Sequence, residues 1–493
     1  MKIGLKNSHL LFAFFSLAPF LFAQEESLPV VEPPVGLNIS GSTKTEYWFW
    51  LGKDSLTRKT EHFETNTSLI INYENFNLMG NLFLYEPSRP KNPLRLLGGS
   101  FAYRTPSIEL TLGDFYSLFG RGLCLRSYYD ENFRYDKRLF GFLAWGEFKG
   151  QEIRILSARP QNIIFRENTY SLENDTTDLL RGVEFSSSLI PYLELSGRYV
   201  RLNKEKDLTP QAFTEIFGPG LLLNYKSLEF YYEYAHKLQT REIVGGRKKG
   251  KGHYLTLSFS SALFGILLEY EDYDSIDLGG TGFRYNDPPT PIKKGISINR
   301  GTDERGFGIN LHSSLSSLRL EGNYAWFYTH KKDKGIREIL GKAEVDFFNQ
   351  FTPVFTFEHL KTTGIEEGSV FRQEWKPGVE VSFNLGEKNF KLEGNVNFVR
   401  EGNTSYQERQ YSLSSDVLPI LSLSFSSEEA TKGVKRYDYQ KRWLIAEGTL
   451  TLTDNLSLRL RLGQEKGGLV CSGGVCRYEP PFFGIKSVLL MRF

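Results

Sequence analysis

Leu456-Ser-Leu-Arg-Leu-Arg-Leu462 places a leucine at every second position, with Ser457, Arg459 and Arg461 between them. A period of two makes a β-strand with one apolar and one polar face. The pattern recurs outward along the chain. In Tyr192–Arg201, Leu193, Leu195 and Tyr199 alternate with Glu194, Ser196 and Arg198. Phe390, Leu392, Val396 and Phe398 oppose Lys391, Glu393, Asn395 and Asn397; Leu318, Leu320, Tyr324 and Trp326 oppose Arg319, Glu321 and Asn323. These segments outrun the about 5–6 residues of an ordinary soluble strand and match the about 9–11 that cross a bilayer. The apolar face is therefore expected to meet lipid and the polar face a lumen.

Composition agrees. An aromatic content of 14% excludes a disordered chain. Beyond residue 23 no stretch approaches the about 20 apolar residues of a membrane-crossing helix. Three cysteines cannot build a disulfide scaffold. Lys2 and Lys6, the apolar run Leu10–Phe22 and the small Ala23 predict a signal peptide over residues 1–23, cleaved near Ala23, although Leu21 occupies a place where a small residue is preferred. No cysteine follows the cut, so a lipoprotein is not expected. The signal peptide holds two of the 60 basic residues and none of the 58 acidic ones, leaving the secreted chain balanced, which argues against a nucleic-acid partner. Residues 24–35 read as a periplasmic leader and 36–493 as the barrel.

Connections alternate in length. Tight ones fall near Glu74–Phe76, Lys149–Gln151, Lys226–Ser227 and Gly386–Lys388; long ones fall near 51–63, 117–140, 159–180, 275–305, 362–374 and 466–481. Short turns on one rim and long loops on the other are the pattern of outer-membrane barrels, the short side being periplasmic. The expected fold is all-β: a transmembrane antiparallel up-and-down barrel of about 24 strands, within 22–26, with no separate plug domain. Phe483, Ile485, Leu489, Met491 and Phe493 alternate up to an aromatic last residue. That run resembles the C-terminal signal read by the barrel-assembly machinery of Gram-negative outer membranes, which makes that machinery an expected partner through Phe493.

The most unusual segment is Gly113-Asp-Phe-Tyr-Ser-Leu-Phe-Gly-Arg-Gly-Leu-Cys-Leu-Arg126, followed by Asp130, Glu131, Arg134, Asp136, Lys137 and Arg138. Gly120 and Gly122 permit sharp turns or close approach to another strand. Mixed charge on one such loop suits a constriction folded into the lumen, for which Asp114, Tyr116, Arg121, Arg126, Asp130 and Arg134 are the candidates. Arg121 and Arg126 are expected to face Asp114 or Asp130, with Glu194, Glu321, Glu393 and Glu447 as further anchors. The competing reading is a solvated outer loop with local ion pairs. Tyr285-Asn-Asp-Pro-Pro-Thr290, then Asp303-Glu-Arg-Gly-Phe307, are expected in the longest loop, where the prolines favour rigid turns.

Together these two segments resemble a family of uncharacterised outer-membrane β-barrel proteins from Bacteroidetes-like Gram-negative bacteria. That family has a similar glycine–acid–aromatic run leading to Phe-Gly-x-Gly-Leu, and a similar Pro-Pro-Thr loop before Asp-Glu. The resemblance implies the same fold and compartment and brings no catalytic roles.

Other motifs lead away from chemistry. Gly245, Gly250 and Lys251 fit part of a P-loop, but Gly252 stands where Ser or Thr would ligate Mg²⁺. The same stretch, with Arg241, Arg247, Lys248 and Lys249, is a basic outer loop, either simply solvated or meeting lipopolysaccharide phosphates. Cys471 and Cys476 lie in one Gly-rich loop and could close a disulfide in an oxidising envelope, whereas Cys124 reads as a small buried residue. No His-Glu-x-x-His helix and no Gly-x-Ser-x-Gly elbow occurs, so no enzyme, metal or cofactor is expected. The expected function is a porin-like channel or transporter in the outer membrane, in contact with lipid and lipopolysaccharide, passing polar solutes through a mixed-charge lumen narrowed by loops. The alternative is a non-conducting scaffold or secretion-associated barrel that binds another envelope protein through its long loops.

Overall fold

Every second residue of the wall faces one side, and the wall closes on itself. The structure, a computed structural model, describes residues 36–493 apart from 52–60, 87–93, 131–134, 167–168, 174–177, 205–212, 240–248, 280–283, 292–297, 299–302, 348–350, 367–368, 387, 434–439, 473–474 and 480. The expected signal peptide and leader, and Arg134, lie outside the described residues. One 26-stranded antiparallel sheet contains two short strands, Tyr129–Asp130 and Thr169–Glu173, paired onto longer ones; the other 24 strands form the barrel. The first strand, Leu37–Trp50, pairs with both Glu61–Tyr73 and the last strand, Phe482–Arg492, so no edge is left open. At that seam Phe493 exchanges backbone hydrogen bonds of 2.8 and 3.0 Å with Gly41. A Cβ on Gly41 would stand 2.6 Å from the Phe493 ring, so the glycine makes room for the terminal aromatic.

Barrel strands run from 8 residues, Ile108–Phe115, to 17, Ser369–Leu385. At the short-turn rim, Glu74, Lys149 and Lys226 hold φ near +50°, the left-handed twist that a two-residue hairpin between right-twisted strands requires. Two further tight turns, Ser316-Ser317 and Pro419-Ile420, lie on the same rim. The other rim is less loop-rich than expected. The segment near 362–374 is mostly wall, because Phe351–Glu366 and Ser369–Leu385 stay paired almost to their ends. Gly402-Asn403 is a tight turn on this side. Asp303–Phe307 opens the strand Asp303–Leu315 rather than lying in a loop, because Asp303 already pairs with Asp274.

The two faces separate by chemistry. Leu392, Leu460 and Leu462 are exposed on the apolar belt, while Lys391 reaches Glu380 at 2.9 Å and Arg461 reaches Glu465 at 2.9 Å on the opposite face. The exposed apolar face is the lipid side of a barrel and the ion-paired face lines its lumen.

Candidate functional site

Two residues beyond Gly113, after Phe115, the chain leaves the wall. This glycine sits at φ +101°, and a Cβ there would meet the Gly99 carbonyl oxygen at 2.3 Å. The chain then forms a small hairpin, Leu118–Phe119 against Leu125–Arg126. Its bend uses Gly120 and Gly122, at φ +58° and +103°. A side chain at Gly120 would stand 2.6 Å from both the Arg198 guanidinium and the Glu233 carboxylate, so only glycine lets the backbone rest on these groups.

The hairpin packs on one face of the strands that follow it. Phe115, Phe119, Leu123, Cys124 and Leu125 form one buried cluster with Leu156, Leu180, Val200, Leu202, Ile216 and Ala235. These wall residues alternate with Ile155, Val183, Leu195, Tyr199 and Phe217, which are exposed and continue the lipid belt. The hairpin therefore lies on the lumen side.

Beneath its tip is a compact charge network. The Gly120 N–H donates to Glu184 Oε1 and the Arg121 N–H to Glu233 Oε2, each at 2.8 Å. Arg198 Nε donates to Glu184 Oε1 at 2.8 Å, and its Nη1 lies 3.6 Å from Glu233 Oε1. Arg154 Nη1 donates at 2.9 Å both to Glu184 Oε2 and to the Leu118 carbonyl. Tyr231 adds a hydroxyl donor to Glu233 at 2.6 Å. Two carboxylates thus meet two guanidiniums, the balance that makes buried charge tolerable.

A second infolded stretch, residues 275–279 and 284–291, locks onto the first. Asn286 is fully buried; its amide donates to the Leu123 carbonyl at 2.8 Å and the Ile276 carbonyl at 2.7 Å, while its oxygen accepts from the Leu278 N–H at 2.8 Å. The Arg126 N–H donates to the Tyr285 carbonyl at 2.8 Å, and the Tyr285 hydroxyl to Asp178 at 2.9 Å. Lys237 holds Asp277 at 3.0 Å.

The candidate residues are distributed as follows. Asp114 accepts the Gly99 N–H at 2.7 Å and lies 4.0 Å from Arg138. The Tyr116 hydroxyl donates to Asp136 at 3.0 Å, and Asp136 also accepts from Arg138 Nε at 2.9 Å. Asp130 belongs to a short strand beside Tyr135 and Asp136. The Arg121 side chain does not face Asp114 or Asp130; it is half-exposed, 3.7 Å from Glu229 and 5.0 Å above the Tyr231 ring. Arg126 lies over the Tyr128 ring at 5.1 Å. Neither Glu393 nor Glu447 anchors the hairpin: Glu447 holds Arg461, and Glu393 is 3.5 Å from Ser412. The anchors are Glu184 and Glu233, because they lie directly below the Gly120–Arg121 backbone. Burial pushes the Cys124 thiol well above its ordinary value, keeping it neutral. The strands Gly468–Ser472 and Val475–Glu479 pair with Cys471 opposite Cys476, while the side chains of both lie outside the described residues.

Across the barrel the lumen face is different. Ser382, Asn384, Asn389, Lys391, Ser414, Asp416, Ser422, Ser424, Glu447 and Thr449 leave an open recess of about 560 Å³. Small hydroxyl-bearing side chains dominate where the other wall carries leucine and valine.

A family profile described as a family of unknown function (DUF6029) matches residues 9–281 and 421–493. No curated protein matches the chain. Among solved structures, the translocation pore of the P pilus usher PapC aligns with 92% of this chain and 98% of its own, at TM-score 0.50 and 10% identity. The siderophore receptor PirA from Pseudomonas aeruginosa aligns with 92% of this chain and 80% of its own, at TM-score 0.45 and 8% identity. OccK3 (OpdO) from Pseudomonas aeruginosa covers 80% of this chain and 96% of its own, at 0.40 and 14%. At such identities a likeness concerns fold alone, and the usher pore is the one among these three similar enough to support it.

Proposed function

We propose that this chain, which belongs to the family of unknown function DUF6029, is an outer-membrane channel that passes polar solutes through a lumen narrowed on one side. The observation that carries the reading is the asymmetry of the lumen. One wall is covered by the hairpin around Gly120 and by residues 275–279 and 284–291, held by Asn286 and the Glu184–Arg198–Glu233 network. The opposite wall keeps an open, hydroxyl- and charge-lined surface. Barrels of about 16–18 strands already hold water, so 24 strands leave space beside a partial filling. The long-loop rim is extracellular in this reading, and the half-exposed Arg121 borders the remaining passage.

Planar-bilayer recording of the purified protein tests the proposal. Discrete conductance steps are expected, with tags inserted at Gly245 labelled on intact cells and tags at Gly386 shielded. A folded protein that inserts without conducting would sink the channel reading and leave the non-conducting scaffold.

A further inference from the structure

We propose that the lumen recess opposite the hairpin is a binding subsite for a neutral saccharide. The inference rests on the channel reading above and names the class of polar solute that the lumen takes.

Register shows how the recess forms. Ser382, Lys391, Ser414, Ser424 and Glu447 are successive cross-strand neighbours on the lumen face. One step nearer the short-turn rim, Asn384 is opposite Asn389, and Ser422 lies between Asp416 and Thr449. Lys391 reaches Glu380 at 2.9 Å and Glu447 reaches Arg461 at 2.7 Å, so the long side chains frame the recess and the short ones form its floor. On the strands Leu318–Tyr328 and Gly335–Val345 the same face carries long, mutually paired side chains instead. Arg319 reaches Asp346 at 2.9 Å, and Lys342 reaches Glu344 at 3.2 Å. At about 560 Å³ the recess falls within the about 300–1,000 Å³ of small-molecule sites.

The chemistry of the floor selects the ligand. Among the described residues, none hydrogen-bonds the side chains of Ser382, Asn384, Asn389, Ser414, Ser424 or Thr449. A serine or threonine hydroxyl both donates and accepts, and so does an asparagine carboxamide. An anionic solute uses donors alone and a cation acceptors alone. A ligand whose own groups do both, as hydroxyls do, engages the whole floor. Charge around the floor is matched: Lys391, Arg459 and Arg461 balance Glu380, Glu447 and Asp416, and Asp416 accepts the Ser422 hydroxyl at 2.6 Å. The recess therefore presents no excess charge to draw an ion. Saccharide hydroxyls can replace the floor's water bond for bond, and an analogue unable to donate would leave acceptors unmet.

Isothermal titration of the folded protein in detergent with maltotriose, raffinose and triacetylchitotriose tests this. At least one should bind saturably, and its per-O-methylated form, which accepts but cannot donate through hydroxyls, should bind at least about tenfold more weakly. The combined variant Ser382→Ala, Ser414→Ala and Ser424→Ala should weaken binding of the same saccharide by at least about tenfold, the loss of several modest hydrogen bonds. Thr404→Ala, at the long-loop end of its strand, should bind as wild type does. Ser424→Ala alone serves if the triple variant does not fold, and should also weaken binding. Saturable binding of none of the three saccharides, or undiminished binding by the folded variant, overturns the proposal. Equal binding of citrate would assign the recess to anions and overturns it too. Binding is read without current: a conducting protein that binds no saccharide sinks this site alone, and a saccharide-binding protein that never conducts sinks the channel reading alone.

Discussion

Two sectors of the same wall obey opposite rules. On the strands from Gln151 to Ser260, the lumen positions toward the long-loop rim are Leu156, Ala158, Leu180, Val200, Leu202, Ile216 and Ala235, all buried under the infolded hairpin. On the strands from Ser369 to Glu465, the lumen positions are Arg372, Glu374, Glu380, Lys391, Ser414, Ser424, Glu447 and Arg461, paired with one another or facing open space. The outward faces of both sectors are alike, because both meet lipid. The difference teaches that a barrel wall is apolar inside only where protein, rather than water, covers it.

The contrast is broken most severely at the charge network under the hairpin. Arg198→Met leaves Glu184 and Glu233 short of a buried partner, and should cost about 3–5 kcal/mol in denaturant unfolding of the lipid-reconstituted barrel. A loss no larger than that of a surface substitution would mean that water reaches the network and the sector is not filled.

Outward residues should respond alike in both sectors. Leu392→Arg and Val183→Arg should each cost about 2–4 kcal/mol near the bilayer midplane, read by the same unfolding assay. Tolerance in one sector alone would contradict a common lipid belt.

Much of this was legible in the sequence. The alternation of Leu456–Leu462 and its relatives sufficed for strand type, faces and a 24-strand barrel, because period two has one meaning when strands are this long. The hairpin at Gly120 and Gly122 was also visible, through glycines no strand needs and a charge mixture ill-suited to lipid. Its anchors were not. Glu184 and Glu233 are distant in sequence, and only closure of the wall brings both below the Gly120–Arg121 backbone. A signal for the filled sector was nonetheless present: Val200 and Leu202 continue the phase of Glu194, Ser196 and Arg198, so the polar face turns apolar halfway along its strand. The loop lengths near 362–374 misled because polar strand residues above the membrane look like loop.

In the open sector, Lys391→Glu with Arg459→Glu should change stability by only about 0–1 kcal/mol, as water-screened pairs do. The same substitutions should move ion selectivity toward cations, measured by reversal potential. A large stability loss would show the recess to be packed.

At the boundary between the sectors, His330 donates or accepts at Asp303 (2.5 Å) and Asp272 (2.9 Å). Partial burial opposes the charged imidazolium, but the hydrogen bonds to Asp303 and Asp272 outweigh it and hold the His330 pKa above its ordinary value. A raised pKa means the stabilisation is fully present below about pH 6.5 and is lost as pH rises through the folded-state value. Amide exchange across Thr329–Lys334 should therefore quicken, beyond its intrinsic pH dependence, from acid to alkaline conditions; His330→Asn should abolish that extra change.

The central claim, that the hairpin narrows a water-filled lumen, is tested most directly by removing it. Ser127 N–H donates to the Ser117 carbonyl at 2.9 Å, so the hairpin ends lie together and residues 118–126 can be replaced by two glycines without opening the wall. Single-channel conductance of the folded variant in a planar bilayer should exceed that of wild type. A folded variant whose conductance and ion selectivity equal those of wild type would contradict the account.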